Sequence, residues 1–154
     1  MSDLYDADVL EWSERQADLL RRHAAGERLN EAPDWPNIIE EIEDVGRSQL
    51  SAVQSLLVQA MAHGLKAQAW PDSAAVPHWK AEARGFRADA ARAFSPSMRQ
   101  RLDLDRLYAE ALDRLPDTID GQPPRPLPQT CPVTLDQLLS RERDLSMAAP
   151  FNPA

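Results

Sequence analysis

One stretch limits the fold more than any other: Pro36 to Trp70, PNIIEEIEDVGRSQLSAVQSLLVQAMAHGLKAQAW. Turned through about 100° per residue from Ile38, the residues Ile38, Ile39, Ile42, Val45, Val53, Leu56, Leu57, Ala60, His63, Gly64 and Ala67 fall within one broad arc. Glu40, Glu41, Asp44, Arg47, Ser48, Ser51 and Ser55 fall outside it. A stripe this wide predicts a helix covered by several neighbours, wider than the seam of a coiled coil. Ile42 and Leu56 are therefore both expected to be covered in the native assembly. Pro36 suits a first helical turn, where its missing N–H would have been unpaired anyway. Asp34 is placed to cap that turn, and the acids at 40, 41, 43 and 44 complement the positive end of the helix dipole. Trp70-Pro71 marks the stop, because the residue before proline is pushed out of helical geometry. The helix is expected to run unbroken for roughly 50 Å at ~1.5 Å per residue, although Gly46 costs about 1 kcal/mol relative to alanine.

Around this rod the chain predicts an all-α, antiparallel helical bundle with a Pro-rich strap and a short C-terminal helix. Val9, Trp12, Gln16, Leu19 and His23 repeat at helical spacing between Tyr5 and Ala25, and Gly26 is a natural stop. The short loop from Glu27 to Pro33 returns the chain along the central helix. A third helix spans Pro77 to Phe94, with Trp79, Ala83, Phe86, Ala90 and Phe94 on its apolar edge. Ser95-Pro96 opens another, running to Leu102, pausing near Asp103 and resuming through Leu115. Pro116 to Pro132 holds six prolines and one glycine and is expected to lie extended. Thr134 then caps a short helix from Leu135 to Ser140. These boundaries divide a single domain into a bundle at 1–115, a strap at 116–133, and a docking helix and tail at 134–154.

A chain of 154 residues can bury a real core as one domain. No apolar run approaches the ~18 residues of a membrane span, and the opening MSDLYDADVLEW lacks the order of a signal peptide. A cytoplasmic protein without a membrane association is the expectation. The lone Cys131 excludes an internal disulfide and zinc sites built on cysteine pairs. Met1 to Ala60 carries thirteen Asp and Glu against five Arg, whereas Met61 to Leu115 carries seven acids against nine Lys and Arg. The net charge of −8 argues against nucleic acid as the main partner, because phosphate attraction supplies most of that affinity. The weak exception is a strip of arginines at 84, 87, 92, 99 and 101. A basic protein partner, or a homo-oligomer, fits the uneven charge better.

Five segments, in this order and spacing, carry a resemblance. They are YDADVLEWSERQADLL, NIIEEIEDVGRS, MAHGLKAQAW, FSPSMRQRL and CPVTLDQLL. Together they resemble the DUF29 family of small bacterial proteins of unknown function, over most of Tyr5 to Leu139. The resemblance implies an all-helical, bundle-like fold and brings no activity with it. Ala67 follows Lys66 where family members tend to have an aromatic residue, and the proline segment is unusually dense.

The residues themselves offer one candidate chemistry. Carboxylates three and four apart on a helix can share a divalent metal, and Glu40, Glu43, Glu110 and Asp113, with His63, are the candidate ligands. The pairing of Glu-x-x-Glu with Glu-x-x-Asp resembles the magnesium-holding helices of all-helical nucleotide pyrophosphohydrolases, here much farther apart in sequence. The competing explanation is plain electrostatics: acids favour helix N-termini, and Glu43 stands four residues before Arg47. His63 lies ~30 Å along the rod from the acids, so any partner must come from another helix, near Glu82 and Arg84. Cys131 precedes a proline with no base placed beside it, and no Gly-rich phosphate loop exists. The sequence thus predicts a non-catalytic protein-interaction module with no cofactor. The alternative is a metal-assisted nucleotide or phosphoester hydrolase using helix-borne carboxylates.

Overall fold

The computed structural model describes residues 3–149. Its regular elements are helices: α1 Asp3–Ala7, α2 Val9–Ala24, α3 Trp35–Ala69, α4 Val76–Ala93, a 3-10 helix Pro96–Arg101, α5 Leu104–Asp113 and α6 Leu135–Leu139. The all-α expectation is met, with α3 as one helix of 35 residues running through Gly46. The chain nevertheless divides into two compact units, Met1–Ser48 and Gln49–Ala154, at a point inside α3.

The first unit contains α1, α2 and the opening turns of α3. The expected single helix from Tyr5 is two, because the Asp8 carboxylate accepts the Glu11 amide at 3.0 Å and so caps a new start. Arg21 and Arg22 sit in the last turn of α2, where cations complement the dipole. Gly26 follows with φ +78°, the left-handed conformation glycine adopts without steric cost. Trp12, Leu19 and Ile38 are buried. Polar bonds then fix the return of the chain. The Trp12 indole donates to Asp34 at 3.0 Å, and the Asp34 amide donates to Gln16 at 2.7 Å. Tyr5 stacks edge-on against Trp12 at 4.8 Å and donates its hydroxyl to Glu41 at 2.6 Å.

This polar frame makes the first unit pH-sensitive at both ends. The hydrogen bond to Glu41, followed by desolvation, pushes the Tyr5 phenol up to about 12. A group raised in the folded state contributes stability that is complete below its ordinary value near 10 and is lost as pH climbs toward the raised one. The Asn37 amide and the Trp12 indole hold the Asp34 carboxyl below its ordinary range. That contribution is present above the ordinary carboxylate value and is lost as pH falls through the lowered one. Burial also raises the Tyr108 phenol. Absorbance titration of the folded protein is therefore expected to show neither tyrosine ionising near pH 10, and both doing so in denaturant. A native Tyr5 phenol titrating at its ordinary value contradicts the Tyr5–Glu41 bond.

The second unit holds the larger core. Val53, Leu57, Met61 and Leu65 of α3 pack with Ala90 of α4, Leu107, Tyr108 and Ala111 of α5, and Leu138 of α6. Trp79 packs with Ala69 and Trp70, while Phe86 meets His63, so α4 runs back along α3. The segment after Phe94 is a 3-10 helix, and Asp103 interrupts it by accepting the Arg106 amide at 3.2 Å to start α5. The proline segment is an ordered strap. Arg125 donates its amide to the Ala69 carbonyl at 2.9 Å, the Trp70 indole donates to Gln122, and the Tyr108 hydroxyl donates to Pro128 at 2.6 Å. Ile119 and Gln122 close a tight turn with two mutual bonds, Asp120 and Gly121 taking φ +53° and +73°. Thr134 and Gln137 cap α6 reciprocally, a capping box.

The expected covering of the α3 arc is realised only in part. Val53, Leu57 and Ala60 are buried and Leu56 packs against the core. Ile39, Ile42 and Val45, on the same arc, are 53 %, 68 % and 65 % exposed. Periodicity records which face is apolar; it does not say how much chain is available to cover it.

Candidate functional site

Four of the five candidate metal ligands are engaged locally. Arg47 draws in the carboxylates: its guanidinium donates to Glu40 at 2.7 Å, to Glu43 at 3.5 Å and to Asp44. Glu110 accepts from Arg114 at 3.1 Å, one turn on, and Asp113 is exposed. His63 Nδ1 lies 2.8 Å from the Gln59 carbonyl, and its ring sits 5.4 Å from Phe86 of α4. Among the described residues no three His, Cys, Asp or Glu side chains are grouped to hold a metal ion. The Cys131 thiol donates to the Val133 carbonyl, and burial pushes its pKa up, away from a reactive thiolate. Four of the five arginines in the strip have partners, Arg84 with Asp144, Arg92 with Asp89, Arg99 with Asp136 and Arg87 inside the protein, while Arg101 stands exposed.

Two features remain that could meet another molecule. The first belongs to the first unit. Every large apolar side chain that stands exposed among the described residues lies there: Val9, Leu10, Trp35, Ile39, Ile42 and Val45. Ile39, Ile42 and Val45 succeed one another at three-residue steps and so form a continuous strip on α3. Beside them, the Arg47 cluster sets three carboxylates against one guanidinium. The whole unit holds thirteen acids and five arginines, which accounts for the full −8 of the chain.

The second feature is a cavity of about 580 Å³ in the second unit, bounded by α3, α4, the strap and the segment after α6. Ala60, Gly64 and Ala67 line it from α3, and Lys80, Ala83, Arg84 and Arg87 from α4. Arg87 holds its far wall in place, donating to the carbonyls of Gln137, Leu138, Ser140 and Glu142. The sequence marks the strip as apolar and points it to the core, and it does not show the cavity as one. The cavity left two traces: the small residues at 60, 64 and 67, and the basic character of α4.

Among the described residues no helix is long and apolar enough to cross a membrane. Comparison with curated proteins finds no match. Residues 4–143 match the family described as a domain of unknown function, DUF29. Among solved structures, an alpha-helical protein of unknown function from Rhodospirillum rubrum is similar, with 30 % identity, a TM-score of 0.63 and 91 % of each chain covered.

Proposed function

This chain belongs to the DUF29 family, whose description names no activity, and from its own geometry we propose that it is a non-catalytic interaction module that captures a basic amphipathic helix of another protein. The observation that carries this reading is the exposed strip Ile39, Ile42 and Val45 on α3, in a unit that bears the entire net charge. Exposed apolar strips rimmed by charge mark protein contact surfaces, and a helix laid in such a strip is read through anchors three and four residues apart. Charge selects the occupant. Pairing two copies through this face would set −8 against −8, whereas lysines flanking the apolar side of a partner helix would meet Glu40, Glu43 and Asp44.

The test uses two synthetic helical peptides with leucines at heptad core positions, one with lysine and one with glutamate elsewhere. Calorimetry is expected to show the lysine peptide binding at least about tenfold more tightly, with affinity falling as salt rises. I42D/V45D, which changes only exposed side chains, is expected to abolish binding without lowering the melting temperature. Equal binding of both peptides, no binding of either, or light scattering showing a stable dimer that the double variant dissociates would each overturn the proposal.

A further inference from the structure

The cavity of the second unit has the size and lining of a ligand site. Its volume of about 580 Å³ lies inside the roughly 300–1,000 Å³ range of pockets that enclose small molecules. Room is made by small side chains: Ala60, Gly64 and Ala67 on α3, and Ala83 on α4. The segment after α6 closes in at Gly64, where a Cβ would stand only 2.9 Å from Met147 Cγ. Charge in the lining is lopsided, with five cationic side chains and a single carboxylate, Asp144. Three of the five are occupied: Arg87 by backbone carbonyls, Arg84 by Asp144 at 3.0 Å, and Arg125 by Asp72 at 2.8 Å. Lys80 and Arg143 are exposed, and no carboxylate lies within ion-pair distance of either among the described residues.

We infer that this cavity binds a small amphipathic anion, a carboxylate or phosphate head on an apolar body. Lys80 and Arg143 meet the head, and the small residues of α3 and α4 receive the body. A neutral apolar ligand would leave the two cations unused, and a small inorganic anion would leave the apolar floor empty. The site lies wholly within the second unit and does not depend on the helix-docking strip.

Calorimetry below micellar concentrations with decanoate, decyl phosphate and decyltrimethylammonium tests the assignment. At least one of the two anions is expected to bind with one-to-one stoichiometry, about tenfold or more tighter than the cation; whichever binds better identifies the head group. K80Q/R143Q is expected to weaken anion binding about tenfold with the melting temperature unchanged, since both side chains are exposed. A83L, which fills the cavity, is expected to abolish it, and A67L serves the same purpose from the other helix should A83L fail to fold. Equal affinity for the cationic chain, no heat from either anion, or wild-type affinity in K80Q/R143Q overturns the inference.

Discussion

Arg87→Met is expected to destabilise the second unit by about 3–5 kcal/mol, one of the two largest effects in this chain. Arg87 is 5 % exposed and forms no ion pair among the described residues. Its Nε donates to Leu138 at 2.9 Å, Nη1 to Glu142 at 2.6 Å, and Nη2 to Gln137 and Ser140 at 3.0 Å each. These carbonyls belong to the end of α6 and the turn after it, where a helix has no partners of its own for its last C=O groups. Arg87 therefore acts as a cap delivered from α4, about fifty residues away in sequence. Burial lowers its hold on the proton, an effect that nearby Glu142 and Asp144 oppose. Methionine matches the length of the stem and supplies no donors, so the Leu138, Ser140 and Glu142 carbonyls lose this donor together, while Gln137 keeps the Ser140 amide and hydroxyl. Lysine is not a rescue, because three rotatable donors do not reproduce the planar fork. Urea unfolding measures the loss, and limited proteolysis is expected to cut earliest between Ser140 and Met147. A variant within 1 kcal/mol of wild type would show that the carbonyls find other donors.

That role also marks where reading the chain stops. The periodicity of α3 identifies Val53, Leu57 and Ala60 as core, and they are buried. Thr134, Asp103 and Gly26 are local signals, and each marks a boundary where its chemistry requires one. Arg87 gives no such signal. On the helical wheel it is one more basic residue on α4, and its value depends on carbonyls that only the folded chain brings to it. The strap shows the same division: six prolines exclude a helix, but the left-handed turn at Asp120 and Gly121 and the Arg125–Ala69 bond are tertiary facts. The apolar strip at Ile39, Ile42 and Val45 was legible as apolar, and only coordinates separate a covered residue from a bare one. The carboxylates at 40, 43 and 44 were legible as a cluster and the Glu43–Arg47 pair by its spacing, and the coordinates add Glu40 and Asp44 to the same guanidinium.

Trp12→Ala is expected to unfold the first unit while leaving the second folded, with a local loss of about 3–5 kcal/mol. The buried apolar side chains of that unit are few: Trp12, Leu19 and Ile38, with Pro33 beside them. So small a core supplies little surplus over the cost of ordering the chain. Trp12 also joins the unit's elements, since its ring packs on Tyr5 of α1 and its indole N–H holds Asp34 at the entrance to α3. Removing it leaves the Asp34 carboxylate with the Asn37 amide alone. Hydrogen exchange is the measurement that separates the units: amides of α2 are expected to lose protection while those of Val53 to Leu65 keep it. The contrast with I42D is the informative part. Ile42 is as apolar as any core residue and stands one turn along α3 from the buried Ile38, yet it is 68 % exposed, so aspartate there is expected to leave exchange in α2 unchanged. If I42D unprotects α2 as W12A does, Ile42 belongs to the core of this unit and the strip is not free to receive a partner.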